Sequence, residues 1–72
     1  MKYQFIICVH NEDYPASLEK RKLYMRLPDP EAEKHRYIRV IDESGEDYLY
    51  PEDYFVPVEL SAETERAVIK AI

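Results

Sequence analysis

Residues 37–50 read Tyr-Ile-Arg-Val-Ile-Asp-Glu-Ser-Gly-Glu-Asp-Tyr-Leu-Tyr, and this stretch decides the fold class. Tyr37 to Ile41 is rich in β-branched residues and alternates, which predicts a strand with Ile38 and Val40 turned inward. Six residues, Asp42 to Asp47, then separate it from Tyr48-Leu49-Tyr50. Gly45 lies among them and is the only glycine in the chain. Its place fits a type I turn followed by a residue at positive φ, the geometry that joins two strands as a hairpin. Pro51 ends the returning strand, because proline cannot donate to a ladder. A lone hairpin does not hold in water, so the flanks must supply more strands.

Upstream, Lys2 to His10 has the period of two expected of a strand. Tyr3, Phe5, Ile7 and Val9 fall on one side; Lys2, Gln4, Ile6, Cys8 and His10 fall on the other, which reads as the outer side. Ile6 and Cys8 make that second side partly apolar, so cover over part of both faces is expected. Asn11 to Arg21 has no sustained period and contains Asn11, Asp13, Pro15 and Ser17, which predicts a long excursion from which Leu18 tucks back over the core. Lys22 to Leu27 is a second strand, with Leu23, Met25 and Leu27 alternating against Lys22, Tyr24 and Arg26, and Pro28 stops it. Asp29-Pro30 with Glu31 and Glu33 has the form of a helix start of one or two turns.

Downstream, Glu52-Asp53-Tyr54 suits a single tight turn, and Phe55 to Glu59 a short fifth strand that tolerates Pro57 only at a sheet edge. Ser61 is a good N-cap for a helix from about Ala62 to Ala71, whose apolar stripe is Ala67, Val68, Ala71 and Ile72. Phe5, Val40 and Leu49 are expected to meet in one apolar centre. The chain reads as a single domain over residues 1–72, mainly β: a small five-stranded antiparallel barrel over about 2–59 and a short C-terminal α-helix over about 62–71.

The bulk numbers agree with one small core. The chain has 72 residues, of which 46% are hydrophobic and 35% charged. A chain this short buries only about 60% of its unfolded surface, so the stability margin is modest. Its single cysteine, Cys8, forms no internal bridge, which favours a reducing cytoplasm. No run approaches a membrane span, and neither the positive segment nor the cleavage site of a secretory signal is present.

The net charge of −5 is uneven: residues 1–36 carry seven Lys or Arg against six Asp or Glu, and residues 37–72 carry three against nine. That balance disfavours nucleic acid, which is held by clustered cations. Lys20, Arg21, Lys22, Arg26, Lys34, His35 and Arg36 nevertheless sit in the first half, with Arg39 just past it, and a small nucleic-acid-associated or regulatory barrel using them is the second functional reading.

The layout, with its long first loop, glycine hairpin and single turn before the last strand, resembles Src-homology-3-like barrels. The segment Tyr50-Pro51-Glu52-Asp53-Tyr54-Phe55-Val56 is similar to the proline-x-x-tyrosine segment preceding that family's last strand. Ile38 to Pro51 also resembles short, uncharacterised bacterial proteins of this barrel type. The resemblance implies that Pro51 and Tyr54 line an aromatic groove for peptides. The tryptophan of the peptide-binding members has no counterpart, since this chain has none.

Seven tyrosines are the most unusual feature of the composition. Tyrosine offers amphipathic contact area suited to recognition, so Tyr24, Tyr48, Tyr50, Pro51 and Tyr54 are the candidate ligand-binding residues. The plainer alternative is that tyrosines are strand formers covering a small core. The acidic tip Asp42, Glu43, Glu46 and Asp47 lacks the ligand order of a calcium loop and reads as a solvated turn. Cys8 and His10 are too few for zinc, and a buried structural thiol fits better than a nucleophile. The sequence therefore predicts no catalytic residue, no metal and no cofactor. It predicts a cytoplasmic protein- or peptide-interaction module of unidentified partner, as monomer or homodimer, with no membrane attachment.

Overall fold

The computed structural model describes residues 4–71. Its strands are β1 (Gln4–Cys8), β2 (Leu23–Leu27), β3 (Tyr37–Ile41), β4 (Asp47–Pro51) and β5 (Phe55–Val58). Its helices are α1 (Pro30–Glu33) and α2 (Ala62–Ala71), and a 3₁₀ turn spans Glu52–Tyr54. Lys2, Tyr3 and Ile72, assigned above to the first strand and the last helix, lie outside the described residues.

All five strands form one antiparallel sheet in the order β4-β3-β2-β1-β5. Sequence neighbours β4 and β5 thus occupy opposite edges, joined by only three residues. From Pro51 to Phe55 the backbone reaches at most about 14 Å, whereas the edges of a flat five-stranded sheet lie about 19 Å apart. The sheet must curl. Its concave face carries Ile6, Cys8, Tyr24, Ile38, Val40, Tyr50 and Phe55, and Leu18 from the first loop completes this core. Tyr50 on one edge strand and Phe55 on the other meet with ring centroids 6.3 Å apart. The described pairings include none between β4 and β5, so the sheet is curled but open.

The observed faces correct three expectations. Ile6 and Cys8 point into the concave core rather than outward, and Cys8 is wholly buried. Tyr24, not Leu23, Met25 or Leu27, is the buried residue of β2. Leu49 is 43% exposed on the convex face, and Phe5, although buried, turns to that same side, so of the three residues expected to meet only Val40 lies in the concave core. One register rule explains all three. Residues directly opposite one another share a face, and the pairs Ile6–Tyr24, Ile38–Tyr50 and Cys8–Phe55 tie the concave face together. Alternation alone shows which residues share a side but not which side is concave.

Several local readings are met closely. Gly45 has φ +83° and its N–H donates to the Asp42 carbonyl. Asp29 caps α1 by accepting from the Ala32 N–H at 3.1 Å, with Pro30 in the first turn. Pro57 is on the edge strand β5. Ser61 Oγ caps α2 by accepting from the Thr64 N–H at 3.1 Å. The helix itself buries no residue among those described, and of its predicted stripe only Val68 is half-buried. Its last residue, Ala71, lines a shallow groove with Leu23, Met25 and Ile41 of the convex face. Among the described residues no helix is long and apolar enough to cross a membrane.

Candidate functional site

The structure separates the candidate tyrosines into two kinds. Tyr24 and Tyr50 are core residues whose hydroxyls are spent on acids of the hairpin tip, Glu43 at the surface and Asp42 buried. Tyr24 Oη donates to Glu43 at 2.6 Å and accepts from the Glu19 N–H at 2.7 Å. Burial first, and the adjoining Glu43 carboxylate second, push its phenol far up. Tyr50 Oη donates to Asp42 at 2.6 Å, and burial together with that carboxylate moves its phenol up to about 12. These two rings have little surface to offer a ligand.

Both hydroxyls also hold the hairpin against the first loop. Glu43 accepts from Tyr24 and Lys22, and its N–H donates to the Ser17 carbonyl at 3.1 Å. The Lys22 ammonium and the Tyr24 hydroxyl keep the Glu43 carboxyl below its usual range. Asp42 is 6% exposed. Burial pushes its carboxyl up, but the donors Ser44 and Tyr50 outweigh that effect and its pKa is lowered. The acidic tip is therefore built into the fold: Asp47 pairs with Arg39 at 3.2 Å and Glu46 accepts from Tyr48. Among the described residues no group of three His, Cys, Asp or Glu side chains is placed to hold a metal ion.

The accessible aromatic surface is assembled elsewhere. Tyr54, supplied by the 3₁₀ turn, and Tyr14, supplied by the first loop, approach with ring centroids 6.1 Å apart. Tyr14 also stands edge-on to Tyr50 at 4.9 Å, which anchors it to the core while leaving it 39% exposed. His10 lies 6.3 Å from Tyr54. The Tyr54 hydroxyl donates to Asp13 at 2.7 Å, and the adjoining Asp13 carboxylate moves this phenol up to about 12. Pro51, at the end of β4, is half-buried, and Tyr48 is 50% exposed. Tyr14, Tyr48, Leu49 and Tyr50 border a groove of about 400 Å³ with Ser17, Asp42 and Ser44.

Tyr14, His10 and Asp13 were not among the candidates read from sequence. They sit where the chain has no period, and only the fold brings that loop to the turn 40 residues later. Tyr14-Pro15 next to acidic Glu12-Asp13 is the one local signal that could have drawn attention to it.

Cys8 and His10 do not form a thiol–imidazole pair. The thiol donates to the backbone carbonyl of His10 at 3.1 Å, and burial raises its pKa. The His10 ring turns to Glu12, 2.9 Å away. Several of the cations singled out in the sequence are likewise engaged within the fold: Lys22 with Glu43, Arg26 with Glu33, Lys34 with Glu31, and Arg39 with Asp29 and Asp47. No protein-family model, no curated protein and no solved structure matches the chain.

Proposed function

We propose that this chain is a protein- or peptide-interaction module of the cytoplasm, built as a Src-homology-3-like barrel, without catalytic activity. The barrel reading is supported by the strand order, by the curl that joins opposite edges through one turn, and by the long first loop folded over the gap. The module docks its partner on Tyr14, Tyr54, Pro51 and Tyr48, with Tyr24 and Tyr50 as the support beneath.

The observation that carries this reading is the meeting of Tyr14 and Tyr54 from distant parts of the chain, with neither ring fully covered. Tyrosines pre-positioned by a buried neighbour and by a hydroxyl–carboxylate bond lose little conformational freedom on binding, which favours recognition. The cations needed by a phosphate-binding alternative are instead largely paired with acids.

Affinity capture with wild type beside Tyr14→Ala, Tyr54→Ala and Pro51→Ala tests the proposal, once circular dichroism has shown each variant folded. A captured protein lost on both tyrosine variants, and retained as salt is raised, is the expected result. Identical capture by all four chains overturns it. A captured nucleic acid released steeply by salt would move the function to the cationic half.

A further inference from the structure

The two edges of the sheet differ in the backbone groups they leave open. Hydrogen-bonded pairs recur at every second residue of an antiparallel ladder. The Val9 N–H donates to the Tyr54 carbonyl, so the paired positions of β5 are Val56 and Val58, and its outward positions are Phe55 and Pro57. Pro57 has no N–H, and the Phe55 N–H already donates to the Glu52 carbonyl. The β5 edge is therefore closed to an added strand.

On the opposite edge, Asp42 and Glu46 are bonded at one end of the β3–β4 ladder, and Arg36 and Glu52 at the other. By the same alternation Tyr48 and Tyr50 face β3, while Asp47, Leu49 and Pro51 turn their main-chain groups outward. Two donors, at Asp47 and Leu49, and three carbonyls are thus presented in a row. The groove of about 400 Å³ between β4 and the first loop runs beside them, bordered by Tyr14, Tyr48 and Leu49.

We propose that β4 is a strand-addition site, and that its occupant is an extended peptide segment carrying Lys or Arg at alternate positions. Charge selects the occupant. No Lys or Arg occurs between Arg39 and Arg66, and Glu46 and Glu52 stand at the two ends of the ladder in the same alternation as Tyr48 and Tyr50. A second copy fits poorly. The antiparallel register that uses most of the edge is centred on Leu49, and it sets Glu46 opposite Glu52 of the second copy, at both ends of the contact. Like charges directly opposite are destabilising. In the same register each Pro51 leaves the facing Asp47 carbonyl without a donor. A basic strand instead meets both glutamates on the concave side and turns its intervening apolar side chains to the convex side, beside Leu49. Main-chain bonds supply affinity and alternate side chains supply choice of sequence.

This site rests on the interaction-module reading and names the partner's chemistry; its test reads edge amides directly, so its failure leaves the capture experiment on Tyr14 and Tyr54 standing. The probe is a short capped peptide alternating arginine and valine, titrated into the full chain and followed by amide NMR. The Asp47 and Leu49 amides are expected to shift saturably and to gain protection from exchange, while those of β5 do not. A peptide alternating glutamate and valine should leave them unmoved.

Leu49→Pro removes one outward donor at a position that the β3 ladder does not use, and should weaken the peptide about tenfold. Glu46→Lys, a surface change that spares the backbone, should weaken it about threefold. Edge amides that stay still under the basic peptide while the chain remains folded overturn the proposal. Equal response to the acidic peptide does so as well, and so do edge shifts that depend only on protein concentration, which would make a second copy the occupant.

Discussion

Replacing Tyr50 by Phe removes one hydroxyl and leaves the ring in place. That oxygen is 2.6 Å from Asp42 Oδ2, on a residue only 6% exposed, and Ser44 serves the other carboxylate oxygen. Tyr50→Phe therefore strips a buried charge of its hydrogen-bond donor on one side. A bond to a charged group contributes about 1.5–3 kcal/mol, most of it appearing as the penalty of the orphaned partner. For a domain of this size each kcal/mol moves the melting temperature by about 4–8 °C, so a loss on the order of 10 °C or more is expected at neutral pH.

The sign of the pH dependence follows from Asp42. Its pKa is lowered in the fold, so its contribution is fully present above the unfolded carboxyl range, near pH 3.9, and is lost as pH falls through the lower folded value. The gap between wild type and Tyr50→Phe should be constant from neutral pH down to about 5 and close in stronger acid. Thermal melts across that range, followed by far-ultraviolet circular dichroism, measure it. Equal melting temperatures at pH 7 would refute the reasoning, because no donor would then have been lost from a buried carboxylate.

Gly45 at φ +83° has nothing within 4 Å of where a Cβ would stand, so Gly45→Val strains only the backbone and should cost about 1–2 kcal/mol, read as a lower melting temperature. The converse applies to Arg36, held at φ +62°: Arg36→Gly relieves about 1–2 kcal/mol of left-handed strain, more than the roughly 0.4–1 kcal/mol that the freedom of glycine in the unfolded chain costs, and should raise the melting temperature by a few degrees. A fall for Arg36→Gly would show that its side chain, not its backbone, matters there. The Cys8 thiol, buried and with its pKa raised, should resist an aromatic disulfide reagent until denaturant is added. Rapid labelling of the folded chain would place it at the surface instead.

Much of the local structure was legible in residues 4–71 because it depends on near neighbours. The glycine hairpin, the Asp29-Pro30 helix start, the Ser61 cap and the proline at a sheet edge each rest on one or two side chains acting on their own backbone. The inward Ile38 and Val40 were legible too, since the charged Arg39 between them marks the opposite face. β1 and β2 were harder. Phe5, Ile6, Ile7 and Cys8 form an unbroken apolar run, and Tyr24 resembles a surface residue until its hydroxyl finds Glu43.

The accessible patch was half legible. Pro51 and Tyr54 stand out as a short motif, but Tyr14 belongs to an aperiodic loop, and no pattern near it points to the turn it meets. The buried members of the candidate set, Tyr24 and Tyr50, show why composition misleads: tyrosine serves a wet surface and a core equally well if an acceptor lies within reach.

The sequence by itself determined five extended segments, the turns between them and a capped terminal helix, because backbone preference and side-chain period act over a few residues. Only the tertiary structure decided which side of each strand is concave, which tyrosines are sealed, and that β4 keeps an open edge while β5 does not. Those outcomes depend on register and on the curl imposed by a three-residue link between opposite edges, and both are properties of pairing between segments far apart in the chain.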